Sequence, residues 1–382
     1  MKAVAPGAWL GLLGGGQLGR MFSMAAQSLG YRVVVVDPGS ESPAGSVADD
    51  HLQADYLDES ALGELARRCA AVTTEFENVP AEALRRLADH CTVSPGHHGV
   101  SVAQDRIREK RFLVEAGLGT APFAVIETEL DVEGVDPALL PGILKIARLG
   151  YDGKGQMSVS SREQVREAFC AMGSKPCVLE KRLALELEVS VVVARGFDGA
   201  TATFPVAENR HANGILDVSI VPARIPESLA REARDRAVRV AEALDYRGVL
   251  CVEFFVVEGG RLVANEIAPR PHNSGHYTID ACFTSQFEQQ ARVMCSQPLG
   301  DTALHCPVVM VNLLGDLWQQ GEPDWSLVLR HPRAKLHLYG KREARPGRKM
   351  GHYTVMAPTV DEALATALGI QSSLVAAARR AA

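Results

Sequence analysis

Two glutamates set in apolar runs frame the chemistry available to this chain. In VLCVEFFVVEGGRLVANEIAPR, residues 249–270, Gly259-Gly260 separates two strand candidates and suits a two-residue hairpin loop with positive φ at both positions. If Glu258 pairs with Arg261, the same register sets Glu253 directly opposite Glu266, on a face shared with Cys251, Phe255, Leu262, Ala264 and Ala268. Like charges that close repel unless a cation or a shared proton lies between them. Hard oxygen donors of this kind suit Mg²⁺, which takes one or two protein carboxylates and completes its shell with water and phosphate oxygens. The competing reading is an exposed hairpin with two unpaired acids, and the apolar neighbours count against it.

A second stretch supplies the other half of a nucleotide site. LKIARLGYDGKGQ, residues 144–156, sets Lys145 in a strand and follows it with Gly150, Gly153, Gly155 and a second lysine, Lys154. Such a loop brings backbone N–H groups and an ammonium against phosphate oxygens, as phosphoryl transfer requires. Alone it reads equally well as a Gly/Lys-rich turn; with an acid pair downstream it reads as a phosphate loop.

A third glycine run points elsewhere. In LLGGGQLGRM, residues 12–21, Gly14, Gly16 and Gly19 satisfy G-x-G-x-x-G after an apolar strand, and RVVVVDP ends on Asp37. That is a dinucleotide fingerprint with a ribose-binding acid, so an NAD-dependent dehydrogenase is a candidate. The Gly/Lys loop and the acid pair are surplus to such an enzyme.

The elements that must carry these residues change character along the chain. The first hundred residues alternate strand and helix (WLGLL, Gln17–Leu29, RVVVVD, Ser60–Cys69, AAVTTEF, Pro80–Asp89), which predicts a doubly wound parallel sheet over residues 1–104. A charged helix in DRIREKRFLVEAG opens a second lobe, 105–183, with strands GILKIA, QMSVSS and PCVLEK and a helix over Arg162–Met172. The remainder, 184–382, is α+β. ELEVSVVVARG puts Leu187, Val189, Val191 and Val193 on one strand face, and Pro226–Tyr246 stripes Leu229, Ala233, Ala237, Val240 and Leu244 along one helix face.

Length supports this division, since 382 residues correspond to about two and a half domains. A net charge of −6 disfavours a general nucleic-acid binder, and no apolar run reaches the ~20 residues of a membrane span. The N-terminus enters its first strand without a signal-peptide core, and the eight cysteines form no C-x-x-C or zinc spacing. Reduced, mostly buried thiols in a cytoplasmic protein are the expectation.

Taken in order, the strand lysine, G-Y-D-G-K-G, V-L-E-K, the acids of C-V-E-F-F and A-N-E-I-A-P-R, P-H-N-S-G-H and R-P-G-R-K-M-G-H resemble the N5-carboxyaminoimidazole ribonucleotide synthetases, ATP-grasp enzymes of purine biosynthesis. The likeness runs from GGGQLGRM to RPGRKMGH, and the last two motifs set this branch apart from other ATP-grasp enzymes. It implies an ATP-grasp fold in which an N-terminal doubly wound domain precedes two α+β lobes gripping ATP. It also implies a reaction dependent on ATP and Mg²⁺: bicarbonate is phosphorylated to carboxyphosphate, whose carboxyl group passes to the amine of 5-aminoimidazole ribonucleotide. A homodimer is implied as well.

Carried over position by position, the resemblance implies ATP-phosphate contacts from Arg106 and Lys145 and a phosphate loop of Gly150, Tyr151, Asp152, Gly153, Lys154, Gly155 and Gln156. Glu180, Lys181, Arg182 and Leu183 correspond to the adenine segment, Glu188 to the ribose acid, His211 and Asn265 to nucleotide-side positions, and Glu253 and Glu266 to the magnesium ligands. Tyr151, Lys154, Arg270 and His272 are implied around bicarbonate and the aminoimidazole. Gln17, Glu75, Asn273 and Ser274 fall on the substrate side, and Lys341, Arg345, Arg348 and Lys349 form a basic patch for the substrate's 5′-phosphate. Leu149 stands where the family commonly has Gly, and Lys154 where it often has Arg.

Three rivals stay open at this level: the related enzyme that activates formate for glycinamide ribonucleotide, the dehydrogenase, and a catalytically silent nucleotide-binding module. His211, Glu180, Glu188 and the RPGRKMGH charges each also admit a purely structural role.

Overall fold

In the computed structural model, which describes residues 2–148, 150 and 155–380, the apolar run WLGLL becomes β1 (Trp9–Leu13) and RVVVV becomes β2 (Arg32–Val36). Between them lies α1 (Gln17–Ser28); β3 (Asp50–Leu52), α2 (Glu59–Arg68), β4 (Cys69–Thr74), α3 (Ala81–Ala88), β5 (Thr92–Val93) and α4 (His97–Ala103) follow. The five strands are parallel in the order β3-β2-β1-β4-β5. Strands buried on both faces read as continuous apolar runs, as β1 and β2 do. The order reverses at β1 and β4, so their C-terminal ends open a crevice where a ligand can approach. Gly14 follows one strand and Glu75 the other.

The next stretch builds a four-stranded antiparallel sheet in the order β6-β9-β7-β8. It comprises α5 (Arg106–Glu115), β6 (Phe123–Ile126), α6 (Glu129–Glu133), β7 (Gly142–Ile146), β8 (Gln156–Val159), α7 (Arg162–Ala171) and β9 (Cys177–Lys181). Asp105 caps α5, its carboxylate accepting from the N–H groups of Ile107 and Arg108. That start places Arg106, Glu109 and Lys110 together on one helix face.

The largest sheet has nine strands, β15-β14-β10-β12-β13-β16-β18-β17 with β11 beside β10. Its elements are β10 (Leu185–Arg195), β11 (Thr201–Thr203), β12 (Ala207–Ala212), β13 (Ile215–Val221), α8 (Glu227–Ala243), β14 (Gly248–Val257), β15 (Arg261–Ala268), α9 (Thr278–Ala281), α10 (Gln286–Met294), β16 (Val308–Leu314), α11 (Ser326–Leu329), β17 (Ala334–Leu338), β18 (Lys349–Met356) and α12 (Val360–Arg380). The α8 stripe packs on Val189, Val191, Val193, Leu250, Val252 and Phe254, as its periodicity predicts. The same sheet's α10 packs through Phe287, Ala291 and Met294 on Leu10, Leu12, Val33 and Val35 of the first domain. Gln290 reinforces the contact, its side-chain N–H groups donating to Thr73 Oγ1 at 3.0 Å and the Ser94 carbonyl at 2.9 Å.

The acid hairpin forms, but by a different register from the one the sequence suggests. Val257 pairs with Arg261 across a three-residue loop, so Glu258 does not face Arg261. A bulge between Glu253 and Phe254 on one side and Glu266 and Ala264 on the other leaves Asn265 without a partner and restores Glu253 opposite Glu266. Because a bulge adds one residue, the face alternation inverts across it. Leu262 and Ala264 therefore lie in the α8 core with Phe254, and not on the face of the two glutamates.

Candidate active site

The nucleotide end is a buried charge cluster between two sheets. Lys145 Nζ on β7 donates to Glu180 Oε2 on β9 at 3.1 Å, and Lys110 Nζ lies 3.3 Å from the same oxygen. Burial opposes the charge on Glu180, but Lys145 and Lys110 outweigh it and hold the carboxyl below its ordinary range. Lys145 is pushed down by the same burial, against the pull of Glu180. Glu180 Oε1 and Asn265 Oδ1 are buried with no hydrogen-bond partner. Two orphan acceptors are costly unless a ligand satisfies them. One is suited to a donor such as a purine amine, the other is a hard oxygen beside the acid pair, so the residues fit ATP with Mg²⁺.

Lys181 ends β9, and Arg182 and Leu183 lead into β10; Lys181 N–H donates to the Pro122 carbonyl and Arg182 N–H to the Pro141 carbonyl. Gly155 has φ of 74°, and its carbonyl accepts from Ile146 N–H, closing the β7–β8 turn; Gly150 is described and Gln156 opens β8. Leu149, Tyr151, Asp152, Gly153 and Lys154 lie outside the described residues.

Each member of the acid pair has its own nitrogen partner. Arg106 Nη1 donates to Glu266 Oε2 at 3.2 Å, while His272 Nε2 lies 3.0 Å from Glu253 Oε1. Burial raises the pKa of Glu266, yet Arg106 and then Lys145 hold it below the ordinary range. His211 Nδ1 lies 3.1 Å from Glu188 Oε2, and burial of that ring is outweighed by Glu188, so its pKa is raised. Glu188, His211 and Glu253 offer ligand atoms all within 4.8 Å of one another, which joins the first two residues to the acid pair.

Behind His272 runs a buried hydrogen-bond chain. Ser219 Oγ donates to Asn209 Oδ1 at 2.8 Å, Asn209 Nδ2 donates to Ser190 Oγ at 2.8 Å, and Ser190 Oγ meets Ser274 Oγ at 2.7 Å. Ser274 Oγ in turn lies 2.8 Å from His272 Nδ1, a nitrogen that also faces the Ser274 backbone N–H at 3.3 Å. A backbone donor needs an acceptor, so the neutral ring carries its proton on Nε2, toward Glu253. Asn273 is also buried, its amide paired head to head with that of Asn312 at 3.0 and 2.8 Å. Ser274 thus stands directly behind the His272 ring, while Asn273 ties the same turn to β16.

In the N-terminal crevice the glycine loop is already engaged. Gly16 N–H and Gly19 N–H donate to the two oxygens of Glu75 at 2.8 and 3.0 Å, and Gly15 N–H donates to Asp37 Oδ2 at 2.8 Å. A Cβ on Gly14 would stand 2.7 Å from Glu75 Cγ, so the glycines admit protein carboxylates where a dinucleotide enzyme admits a pyrophosphate. Burial raises the pKa of Glu75. Gln17, half-buried, opens α1 beside it. Arg270 binds Glu77, and burial of that carboxyl is outweighed by the guanidinium, which keeps it ionised. Lys341 Nζ donates to the Lys349 carbonyl at 2.8 Å, and Arg345 and Arg348 both hold Glu343, through its carboxylate and its carbonyl respectively.

The chain matches the ribonucleotide synthetase preATP-grasp domain over residues 8–104, the ATP-grasp domain over 111–287 and the phosphoribosylaminoimidazole carboxylase C-terminal domain over 308–366. It is 45% identical over 362 residues to the N5-carboxyaminoimidazole ribonucleotide synthase of Bacillus subtilis strain 168, covering 94% of each chain. To the Brucella melitensis enzyme of the same name it is 46% identical, covering 93% of this chain and 98% of that one. The chain belongs to the N5-carboxyaminoimidazole ribonucleotide synthase family.

Solved members of the family superpose along nearly its whole length. An ADP complex of such a synthetase aligns with a TM-score of 0.92 at 43% identity, covering 97% of this chain and 98% of that one. The Aspergillus clavatus enzyme, solved with ADP and 5-aminoimidazole ribonucleotide, aligns at 0.87 with 31% identity, covering 98% and 99%. As a member of this family the chain is an ATP-dependent carboxylating enzyme of purine biosynthesis, with ATP and Mg²⁺ as its cofactors. Neither the dehydrogenase nor the formate-activating reading survives that assignment. Several functional candidates escaped the sequence reading: Glu77 on Arg270, the Ser219–Asn209–Ser190 chain, and Glu109 and Lys110. Only Glu77 left a local signal, standing two residues from Glu75 in TTEFENVP.

Proposed function

We propose a division of labour within this site, over three lobes bounded at residues 1–104, 105–183 and 184–382. Lys145, Arg106 and the 150–156 loop hold the ATP phosphates, Glu180 with Lys181 to Leu183 holds the adenine, and Glu188 with His211 holds the ribose side. Glu253 and Glu266, aided by Asn265, would hold Mg²⁺, which would offset phosphate charge. The observation that carries this reading is the pairing of Glu253 with Glu266, flanked by Arg106, His272 and the orphan Asn265 Oδ1.

Bicarbonate is a poor electrophile because its anionic oxygens feed the carbon. Transfer of the γ-phosphoryl group to one of those oxygens gives carboxyphosphate and ADP. The exocyclic amine of 5-aminoimidazole ribonucleotide then attacks the carboxyl carbon; the C–N bond forms, the C–O bond to phosphate breaks and the amine loses a proton. Arg270, half-buried and oriented by Glu77, supplies a fixed positive charge to the anionic intermediate without reorganisation. His272 turns its Nε2 toward Glu253, and it is assigned with Tyr151 and Lys154 to bicarbonate and the aminoimidazole. Enclosure protects the mixed anhydride from water. Gln17 and Glu75 face the ribonucleotide, whose 5′-phosphate falls to Lys341, Arg345, Arg348 and Lys349.

A cytoplasmic homodimer that engages neither nucleic acid nor membrane belongs to the same proposal. The location and the absence of nucleic-acid and membrane partners are supported by eight unpaired cysteines, the net charge of −6, and the lack of any helix among the described residues long and apolar enough to cross a membrane, and the homodimer by the family resemblance alone. The test of the assignments is ADP release with ATP, Mg²⁺ and bicarbonate, with and without aminoimidazole ribonucleotide, beside formate with glycinamide ribonucleotide. Release should require the first pair of substrates, and should vanish in both Glu253→Gln and Glu266→Gln; retained turnover in either variant contradicts the metal assignment.

A further inference from the structure

Glu109 and Lys110 are among the most deeply buried charged side chains of the molecule, 2% and 0% exposed, and the reaction as derived uses neither. They sit three and four residues after Arg106, on the same face of α5. That face meets β15 at its bulge. Lys110 Nζ donates to the Asn265 carbonyl at 2.9 Å, Arg106 donates to the Glu266 carboxylate at 3.2 Å, and the Ile267 N–H donates to Glu109 Oε1 at 2.5 Å. Three successive residues of the strand are thus held by one turn of helix.

A bulge takes backbone groups out of the ladder, and buried backbone groups need other partners. Here α5 provides them on both sides of Glu266. The consequence is specific. If the pairing that runs from Val257·Arg261 to Phe254·Ala264 continued without a bulge, Asn265 would oppose Glu253, and Glu266 would turn to the opposite face. Lys110 also reaches Glu180 on β9 at 3.3 Å, so the same ammonium ties the bulge to the acid assigned to adenine.

We propose that Glu109 and Lys110 are positioning residues for the metal-binding carboxylate: they pin the Asn265 bulge that keeps Glu266 opposite Glu253, and Lys110 couples that bulge to Glu180. The inference rests on the reading of Glu253 and Glu266 as the metal pair. Lys110→Met removes the ammonium and keeps the stem, Glu109→Leu removes the acceptor, and Glu109→Gln keeps an acceptor oxygen for Ile267. Binding of ADP with Mn²⁺, followed by electron paramagnetic resonance of the free ion, reports the metal site without turnover, and calorimetry gives the affinity for metal-free ADP.

Lys110→Met and Glu109→Leu should each weaken Mn²⁺·ADP binding about tenfold or more; metal-free ADP affinity should change less than about threefold in Glu109→Leu and fall further in Lys110→Met, through Glu180. Glu109→Gln should stay within about threefold of the parent in both. Should Lys110→Met not fold, the contrast of Glu109→Leu with Glu109→Gln makes the same comparison. The proposal is overturned if folded Lys110→Met or Glu109→Leu protein binds Mn²⁺·ADP as the parent does, or if Glu109→Gln is as damaged as Glu109→Leu. Glu266→Gln serves as the control: undiminished Mn²⁺·ADP binding there indicts the metal assignment itself, whatever the brace variants do.

Discussion

Ser190→Ala removes one hydroxyl from the middle of the chain that ends on His272. Ser190 is 1% exposed, accepts from Asn209 Nδ2 at 2.8 Å and meets Ser274 Oγ at 2.7 Å. Its loss leaves a buried amide hydrogen unpaired and Ser274 one partner short, which should cost about 1–3 kcal/mol of folding stability. The catalytic effect should be smaller and of a different kind. Ser274 remains beside His272 Nδ1, and its backbone N–H still points there, so the ring keeps part of its orientation. One neutral hydrogen bond, about 1 kcal/mol, corresponds to a fall in kcat of roughly three- to tenfold. The KM for ATP should stay within about twofold, because no nucleotide group is assigned to the chain. Ser219→Ala breaks the same chain two links further from the ring, so its stability loss should be similar and its kcat near that of the parent. Initial rates of ADP release at saturating substrates, beside thermal melts of both variants, test the comparison. Equal kcat in the two variants would reduce the chain to packing and refute its role in directing His272.

Glu266→Gln should abolish ATP cleavage and, because it also deprives Arg106 of its carboxylate partner, should lower the melting temperature of the metal-free protein; a rise would mean that repulsion from Glu253 dominates. Arg348→Leu should raise the KM for aminoimidazole ribonucleotide roughly tenfold and leave that for ATP unchanged in initial-rate assays, the loss expected for one charge-assisted phosphate contact. His352 is fully buried, its pKa is pushed well below the ordinary histidine value by burial and then by His276 and His337, and its Nε2 has no partner. The unfolded ring binds a proton near pH 6.5 and the folded ring does not, so this group's contribution to stability falls as pH drops below that value. Between pH 7 and 5 His352→Gln should therefore lose less stability than the parent in denaturant titrations, and an identical pH slope would contradict the assignment.

What the sequence discloses depends on whether the deciding partner is near in the chain. The first domain is legible because apolar runs, a glycine turn and a helix follow one another directly, whereas β3 and β5, three and two residues long, carry no readable alternation. The pairing of Glu253 with Glu266 is anticipated correctly from an incorrect register. Local turn chemistry suggests a two-residue loop, but α5, more than 150 residues upstream, imposes the bulge that restores the pair. The glycine fingerprint discloses a tight turn with close backbone approach; that Glu75 and Asp37 occupy its amides is a tertiary fact. Likewise Ser190, Asn209 and Ser219 are ordinary polar residues in strands until β10, β12 and β13 align them behind His272.

The central claim, that this site activates bicarbonate by phosphorylation before the amine attacks, is tested most directly by following oxygen. With ¹⁸O-labelled bicarbonate, ATP, Mg²⁺ and aminoimidazole ribonucleotide, the oxygen that accepts the phosphoryl group stays on phosphorus when the C–O bond breaks. One ¹⁸O per released phosphate, seen by ³¹P NMR, is the predicted result. Unlabelled phosphate formed alongside carboxylated product would contradict the account, because it would place phosphoryl transfer on water and leave the carboxyl group to reach the amine by another route.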